Sequence, residues 1–283
     1  MKKLFLVGIL VPGILSAQRW HVNLFGGISN YSGDLQDKQF TLDESYGMFG
    51  AGLQYDLSRH FSVRTDISIA KVGASDAFNK PDLQSRNLSF QTNIQEANLL
   101  LEYTLADLSQ HRFSPYVFAG VAIFHFNPYA YDSLGNKVFL RPLSTEGEGL
   151  PQYPTQRPYS LTQPAIPFGG GVKLRVTSNV VVSYEIAFRK LFTDYLDDVS
   201  TFYVDPNILL AARGPEAVEM AYRGNEIKNG NPNYPATFSI RGNPKSKDWY
   251  YFSVIKISIG LNAEGNTPYG RGVRGSVDCP KKL

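Results

Sequence analysis

PAIPFGGGVKLRVTSNVVVSYEIAFRK, residues 164–190, alternates with a period of two on both sides of a three-residue turn. Ile166, Phe168, Gly170, Val172, Leu174 and Val176 fall on one face, and Pro167, Gly169, Gly171, Lys173 and Arg175 on the other. After Thr177-Ser178-Asn179 the pattern resumes: Val180, Val182, Tyr184, Ile186 and Phe188 oppose Val181, Ser183, Glu185, Ala187 and Arg189. Period-two alternation predicts two half-buried antiparallel strands. In a soluble sandwich the apolar face is core. In a transmembrane barrel it faces lipid, and the charged face lines the lumen.

Outward from this hairpin, further alternating segments follow the same rule. A first strand is expected at about 20–28, with Trp20, Val22 and Leu24 opposite His21 and Asn23. Others are expected at 46–57, from 61 onward, at 88–105, 113–126 and 249–261. In the fourth, Ala97, Leu99, Leu101 and Tyr103 face outward and Glu96, Asn98 and Glu102 inward. The fifth is apolar on both faces, so its direction is open. The intervening segments are roughly 17, 3, 15, 7, 37, 3 and 57 residues long. Strict alternation of long and short connections is the habit of outer-membrane barrels, with short periplasmic turns and long extracellular loops; a Greek-key sandwich has no reason for it. The fold expected is therefore all-β: an eight-stranded antiparallel transmembrane barrel over 18–261, with long loops at about 29–45, 73–87, 127–163 and 192–248.

Composition agrees. Charged residues are 19% of 283 and aromatic residues 13%, against a soluble norm of about 25% charged. Residues 1–17 have the basic start, apolar run and Ser16-Ala17 exit of a cleaved signal peptide. No run reaches the length of a transmembrane helix. The net charge of +3 implies no nucleic-acid partner. Four histidines and one cysteine, Cys279, exclude a Cys-rich metal site and a disulfide framework. These readings place the chain in the outer membrane of a Gram-negative bacterium, in contact with its lipids and with both termini periplasmic.

An eight-stranded barrel is narrow enough for side chains to fill. The expected fillers are Arg64, Asp66, Glu96, Glu102, Lys173, Arg175, Glu185, Arg189 and Lys256. Five cations against four carboxylates can largely neutralise one another, which predicts a plugged lumen. In the longest loop, Asp205 and Pro206 read as the cap and first residue of a helix, and Gly214-Pro215 separates it from a second. Asp194, Asp197, Asp198 and Asp205 are candidate Ca²⁺ ligands, but their spacing is not that of an EF-hand; capping and loop hydrogen bonding also account for them. His60 and Ser62 lack an evident acidic partner for catalysis. Gly169-Gly170-Gly171 lies inside a strand and reads as relief of crowding. No enzyme activity, cofactor or bound metal is expected. The 22 residues at 262–283 form a polar tail in which Arg271, Arg274, Lys281 and Lys282 outnumber Glu264 and Asp278; those cations are candidate contacts for a periplasmic protein. A tail of that length is too short for a peptidoglycan-binding domain.

WHVNLFGGISNYSGDL at 20–35, FSPYVFAGVAIFHFNP at 113–128 and FTDYLDDVSTFY at 192–203 resemble Bacteroidetes outer-membrane proteins of the DUF6089 family, the group that contains PorG of the type IX secretion system. The resemblance covers about 20–205 and the last strand. It implies an eight-stranded barrel with no catalytic residues, a structural or assembly role in type IX protein secretion, and periplasmic ring lipoproteins of the PorK/PorN type as partners. The long third and fourth loops and the basic tail depart from the shorter PorG-like members. The alternative role is a surface barrel that binds an external ligand or protein through its loops.

Overall fold

The computed structural model describes residues 20–36, 41, 44–228 and 230–261. The expected signal peptide and the 262–283 tail, with Arg271, Arg274, Cys279, Lys281 and Lys282, lie outside the described residues. Eight long strands build the barrel: β1 (Trp20–Ser32), β2 (Tyr46–Asp56), β3 (Phe61–Ser75), β4 (Ser89–Thr104), β5 (Phe113–His125), β8 (Thr162–Arg175), β9 (Val180–Leu191) and β10 (Trp249–Gly260). A small hairpin, β6 (Tyr129–Tyr131) and β7 (Lys137–Phe139), rises from the third long connection. It has no counterpart in the sequence reading, because three-residue strands carry no usable alternation.

Every neighbouring pair is antiparallel, and the order β3-β2-β1-β10-β9-β8-β5-β4 closes through β3 against β4. The closing ladder of first on last strand runs without a break from His21 opposite Gly260 to Ser32 opposite Trp249. Closure leaves no unpaired edge, which is the condition for a sheet in hydrocarbon. The outward face carries Phe49, Ile67, Ile69, Val121, Ile123 and Ile255, each more than 60% exposed. An apolar surface of that extent is tolerated only against lipid or a partner, and aromatic pairs rim it near the short turns: Trp20 with Tyr55 and Phe61 with Tyr103, both at 4.9 Å. The chain has the fold of an outer-membrane β-barrel. Among the described residues no helix is long and apolar enough to span a membrane.

The short turns follow from local chemistry. Ser58 Oγ accepts from the backbone of His60 and Phe61, and Thr177 Oγ1 from Asn179 and Val180. In each, a hydroxyl satisfies the amides that a tight reversal exposes. The strands extend past the expected ends where the loops begin: β1 runs to Ser32 and β3 to Ser75. These extensions project the sheet beyond the lipid-facing belt, so their outward residues are polar and the alternation fades.

β5, whose direction the sequence leaves open, turns Tyr116, Phe118 and Phe124 inward and Phe113, Val117, Val121 and Ile123 outward. The glycines opposite make room for those rings. A Cβ added to Gly169 would lie 2.8 Å from the Phe118 ring and 2.1 Å from the Ile186 carbonyl oxygen; at Gly171 it would meet the Tyr184 carbonyl at 2.1 Å.

Candidate functional site

The barrel interior holds two charge clusters, built on inward positions of strands from opposite walls. In the first, the Arg64 guanidinium grips Glu185 with two bonds, at 2.8 and 3.1 Å, and reaches Asp66 at 2.9 Å and Glu102 at 3.4 Å. Lys173 pairs with Glu102 and donates to Thr104 Oγ1 at 3.0 Å. Lys256 lies 3.1 Å from Glu185 and 3.5 Å from Glu102. The Tyr116 and Ser62 hydroxyls donate to Glu185 and Glu102 at 2.8 and 3.2 Å. The second cluster is Arg189 forked onto Glu96, both bonds 3.0 Å, with Tyr250 and Asn98 donating to the same carboxylate at 2.6 and 2.9 Å. Arg189 also lies 3.9 Å over the Phe252 ring.

Each cluster is neutral by itself: three cations with three carboxylates, then one with one. Buried charges persist only when paired and hydrogen-bonded, and the shared, forked geometry meets that need. A cavity of about 10 Å³ remains between Arg64, Asp66, Asn98, Glu185, Arg189 and Lys256, room for about one water at most. At the level of Arg64, Glu185 and Arg189 the arrangement fills the lumen.

Arg175 is the exception among the expected lumen charges. It points to the inner side but lies at the short-turn rim, half-buried, donating to the Ser109 carbonyl at 3.1 Å. Parity gives a residue's face and not its depth, and the last residue of β8 is too near the barrel end to join the network. Its absence brings the central charges to four against four.

Over the other end, the long connections fold into a cap. Helices α1 (Pro81–Gln84), α2 (Pro206–Arg213) and α3 (Pro215–Ala221) belong to it. Arg241 sits at its centre, 3% exposed, and holds Glu146 at 2.9 Å, the Asp198 carbonyl at 2.5 Å and the Ala221 carbonyl at 3.2 Å. Glu146 also accepts from the amides of Ser200 and Thr201, at 2.9 and 2.8 Å. Arg86 forks onto Asp76, at 2.8 and 2.7 Å, and donates to the carbonyls of Asp34 and Arg241. Two arginines thus tie all four long loops together. An aromatic column links this cap to the lumen: Tyr250, Phe124, Phe126, Tyr159 and Tyr195 follow one another with ring centroids 4.9 to 6.2 Å apart.

The four aspartates considered as Ca²⁺ ligands do not converge. Asp205 caps α2, accepting from Asn207 and Ile208. Asp194 accepts from Ser200 Oγ, Asp197 from Tyr31 and the Val199 amide, and Asp198 from Thr145 and Tyr159. Close in sequence, they are taken up by different partners, and Asp198 itself sits in the left-handed region at φ 65°. Among the described residues no group of three or more His, Cys, Asp or Glu is placed to hold a metal ion. Their burial has another result. It pushes the Asp194 carboxyl up to about 7, and the Asp198 carboxyl up to about 6 against the opposing pull of Arg241. Glu148, buried beside Asp198 and Glu146, is pushed up to about 8. His60 and Ser62 take separate partners: His60 Nδ1 bonds the Thr104 carbonyl oxygen at 2.8 Å and Ser62 donates to Glu102.

The cap residues Arg86, Asp76, Glu146, Glu148, Arg241 and Asp248 escape sequence reasoning. Charged side chains in loops ordinarily read as solvated, and the signal available was only the density of Tyr and Pro around them.

Comparison with known proteins adds the following. No curated protein matches the chain in sequence. Among solved structures, neisserial surface protein A is 9% identical, with 85% of this chain and 96% of that one covered and a TM-score of 0.41. The attachment invasion locus protein Ail of Yersinia pestis is 8% identical, with 85% and 97% covered and a TM-score of 0.40. The outer membrane protein OprG of Pseudomonas aeruginosa is 10% identical, with 85% and 96% covered and a TM-score of 0.40. The family described as "Domain of unknown function (DUF6089)" matches residues 2–138. That match runs through β5 and ends within the small hairpin.

Proposed function

We propose that this chain is a non-conducting, non-enzymatic outer-membrane barrel that works through protein contacts, as a structural or assembly component of type IX protein secretion. The observation that carries the reading is the closed interior. Two neutral, salt-bridged clusters cross the interior from wall to wall, which supports a barrel that works through the surfaces at its two ends. The resemblance of 20–35, 113–128 and 192–203 to PorG-like members supports the assembly role, with periplasmic ring lipoproteins of the PorK/PorN type as partners. In that arrangement the short turns at 57–60, 105–112 and 176–179 and the tail face the periplasm. The test is a pull-down of the tagged chain from native outer membranes. Recovery of ring lipoproteins, lost when residues after 263 are removed or the turns are exchanged, supports the reading. Their absence from a correctly inserted wild-type barrel refutes it.

One observation favours a second reading, a barrel that binds an external partner through its loops. The cap presents Phe238, 66% exposed with φ of 67° and one side of its ring against Phe202 at 5.1 Å, beside Ile240, 84% exposed. A bulky residue held at positive φ and turned outward marks a candidate contact. Deleting the exposed turn at 236–240 leaves secretion intact under the first reading and removes partner binding under the second.

A further inference from the structure

The fourth long loop leaves the barrel after β9 and returns at Asp248, the residue before β10. Its two ends meet over the end of β1. Tyr31 Oη lies 2.7 Å from Asp197 Oδ2 and 2.8 Å from Asp248 Oδ1. The other oxygen of each carboxyl is occupied: Asp197 Oδ1 accepts from the Val199 amide and Asp248 Oδ2 from the Leu196 amide, both at 2.9 Å. All three side chains are buried, at 1% exposure each. Gly33 closes the lid on them. A Cβ there would lie 2.0 Å from Tyr31 Oη and 2.1 Å from Asp248 Oδ1, so the backbone is packed onto the oxygens themselves.

Proton accounting decides the state of this group. A phenol has one hydrogen to give. Directed at one carboxylate, it leaves the other carboxyl oxygen facing a phenolic lone pair at 2.8 Å or less. Two buried acceptors at that distance repel unless one carries a proton. The groups facing the pair only add to the demand. Asp34 from the first long loop acts on both carboxyls, and Asp194 from the fourth acts on Asp248. Lys247 acts on Asp194, and Arg86 and Arg241 on Asp34. Burial first, then the neighbouring carboxylates, push Asp197 and Asp248 well above the usual carboxylate range.

We propose that one proton, shared by Asp197 and Asp248 around the Tyr31 hydroxyl, latches both ends of the fourth long loop to β1, so that the cap loosens as the surroundings turn alkaline.

The sign follows from linkage. Each carboxyl titrates higher in the closed loop than in an open one, whose value is about 4. The latch is therefore at full strength below about pH 4. Above that, release of one proton on opening makes the open fraction rise about tenfold per pH unit, until the closed pair itself ionises. Neighbouring groups such as Glu148 titrate elsewhere in the cap, so the readout must be local to the loop ends.

The experiment is amide hydrogen exchange on the full chain in lipid vesicles, from about pH 5 to about pH 9, expressed as protection factors corrected for intrinsic exchange. In the wild type, protection of peptides within 194–199 and 245–248 falls about tenfold per pH unit. In Asp248→Asn the amide supplies the missing hydrogen permanently, and the fall at these peptides vanishes while barrel strands stay protected. Asp197→Asn has the symmetrical effect and serves as the second variant if the first does not fold. A flat wild-type profile at the loop ends overturns the proposal, and so does an unchanged fall in the amide variants.

Discussion

Arg64 on β3 and Glu185 on β9 stand four strands apart in a ring of eight, and their forked pair at 2.8 and 3.1 Å bridges the barrel from wall to wall. Removing one partner strands a charge in a medium that cannot solvate it. Glu185→Gln is expected to cost about 3–5 kcal/mol, read as a shift of the urea midpoint for loss of heat-modifiable gel mobility. Arg175→Gln, at the rim, is expected to stay within about 1 kcal/mol of the wild type.

Planar bilayers provide the second test. With the clusters paired and only about 10 Å³ free between them, the purified protein is expected to give no steady conductance. Stable ion-selective currents from the wild type would contradict the filled lumen.

The lipid face gives the third. Ile255 is 61% exposed on the outer wall, on the same face as Ile257. Ile255→Arg is expected to destabilise the inserted barrel by about 2–4 kcal/mol, measured by folding titration into vesicles. An insertion yield equal to that of the wild type would show that this wall does not face hydrocarbon.

Arg241 is the fourth. Arg241→Met removes the clamp on Glu146 and on two backbone carbonyls, and leaves Glu146 buried without its cation. The cap is expected to become protease-sensitive at 144–149 and 198–204 while the barrel keeps its gel shift. If cleavage is no faster than in the wild type, the clamp is not what holds the cap.

Glu148 supplies a pH dependence of its own. Its carboxyl titrates at about 8, raised by burial and then by Asp198 and Glu146, so its stabilising neutral form is fully present below about pH 4 and is lost as pH rises through about 8. Glu148→Gln is expected to protect 144–149 from alkaline exchange and to change little near pH 5; an equal alkaline loss in both proteins would refute the assignment.

The barrel was legible because lipid and lumen impose opposite chemistry on alternate residues. The 164–190 hairpin shows it at full contrast: Val182, Tyr184 and Ile186 outside, Ser183, Glu185 and Arg189 inside. β5 hid its direction because its inward residues are rings rather than charges, so both faces read alike. Arg175 shows the second limit, that alternation measures side and not depth. The cap was legible only in outline. Asp205 and Gly214 announced their helices by local rules, but Arg241 meets Glu146 across 95 residues, and no short-range pattern encodes that meeting. The aspartates at 194–205 look like a group because they are neighbours in sequence; in the fold Ser200, Tyr31, Thr145 and the start of α2 each take a different one.

The lumen charges are unevenly dealt along the chain. The strands β1–β4 contribute Arg64 with Asp66, Glu96 and Glu102, an excess of carboxylates. β5 and β8–β10 contribute Lys173, Arg189 and Lys256 with Glu185, an excess of cations. Before the sheet curls shut, the two halves carry opposite charge on the faces that must come together. Each half pairs part of its own charge, Arg64 with Asp66 and Lys256 with Glu185, but Glu96 and Glu102 of the first half find Arg189 and Lys173 only on the second. A half-curled intermediate therefore keeps both the penalty of unpaired charge and the attraction that relieves it. Closure should be cooperative and self-guiding, with the plug serving as the means by which the first half of the chain recognises the second.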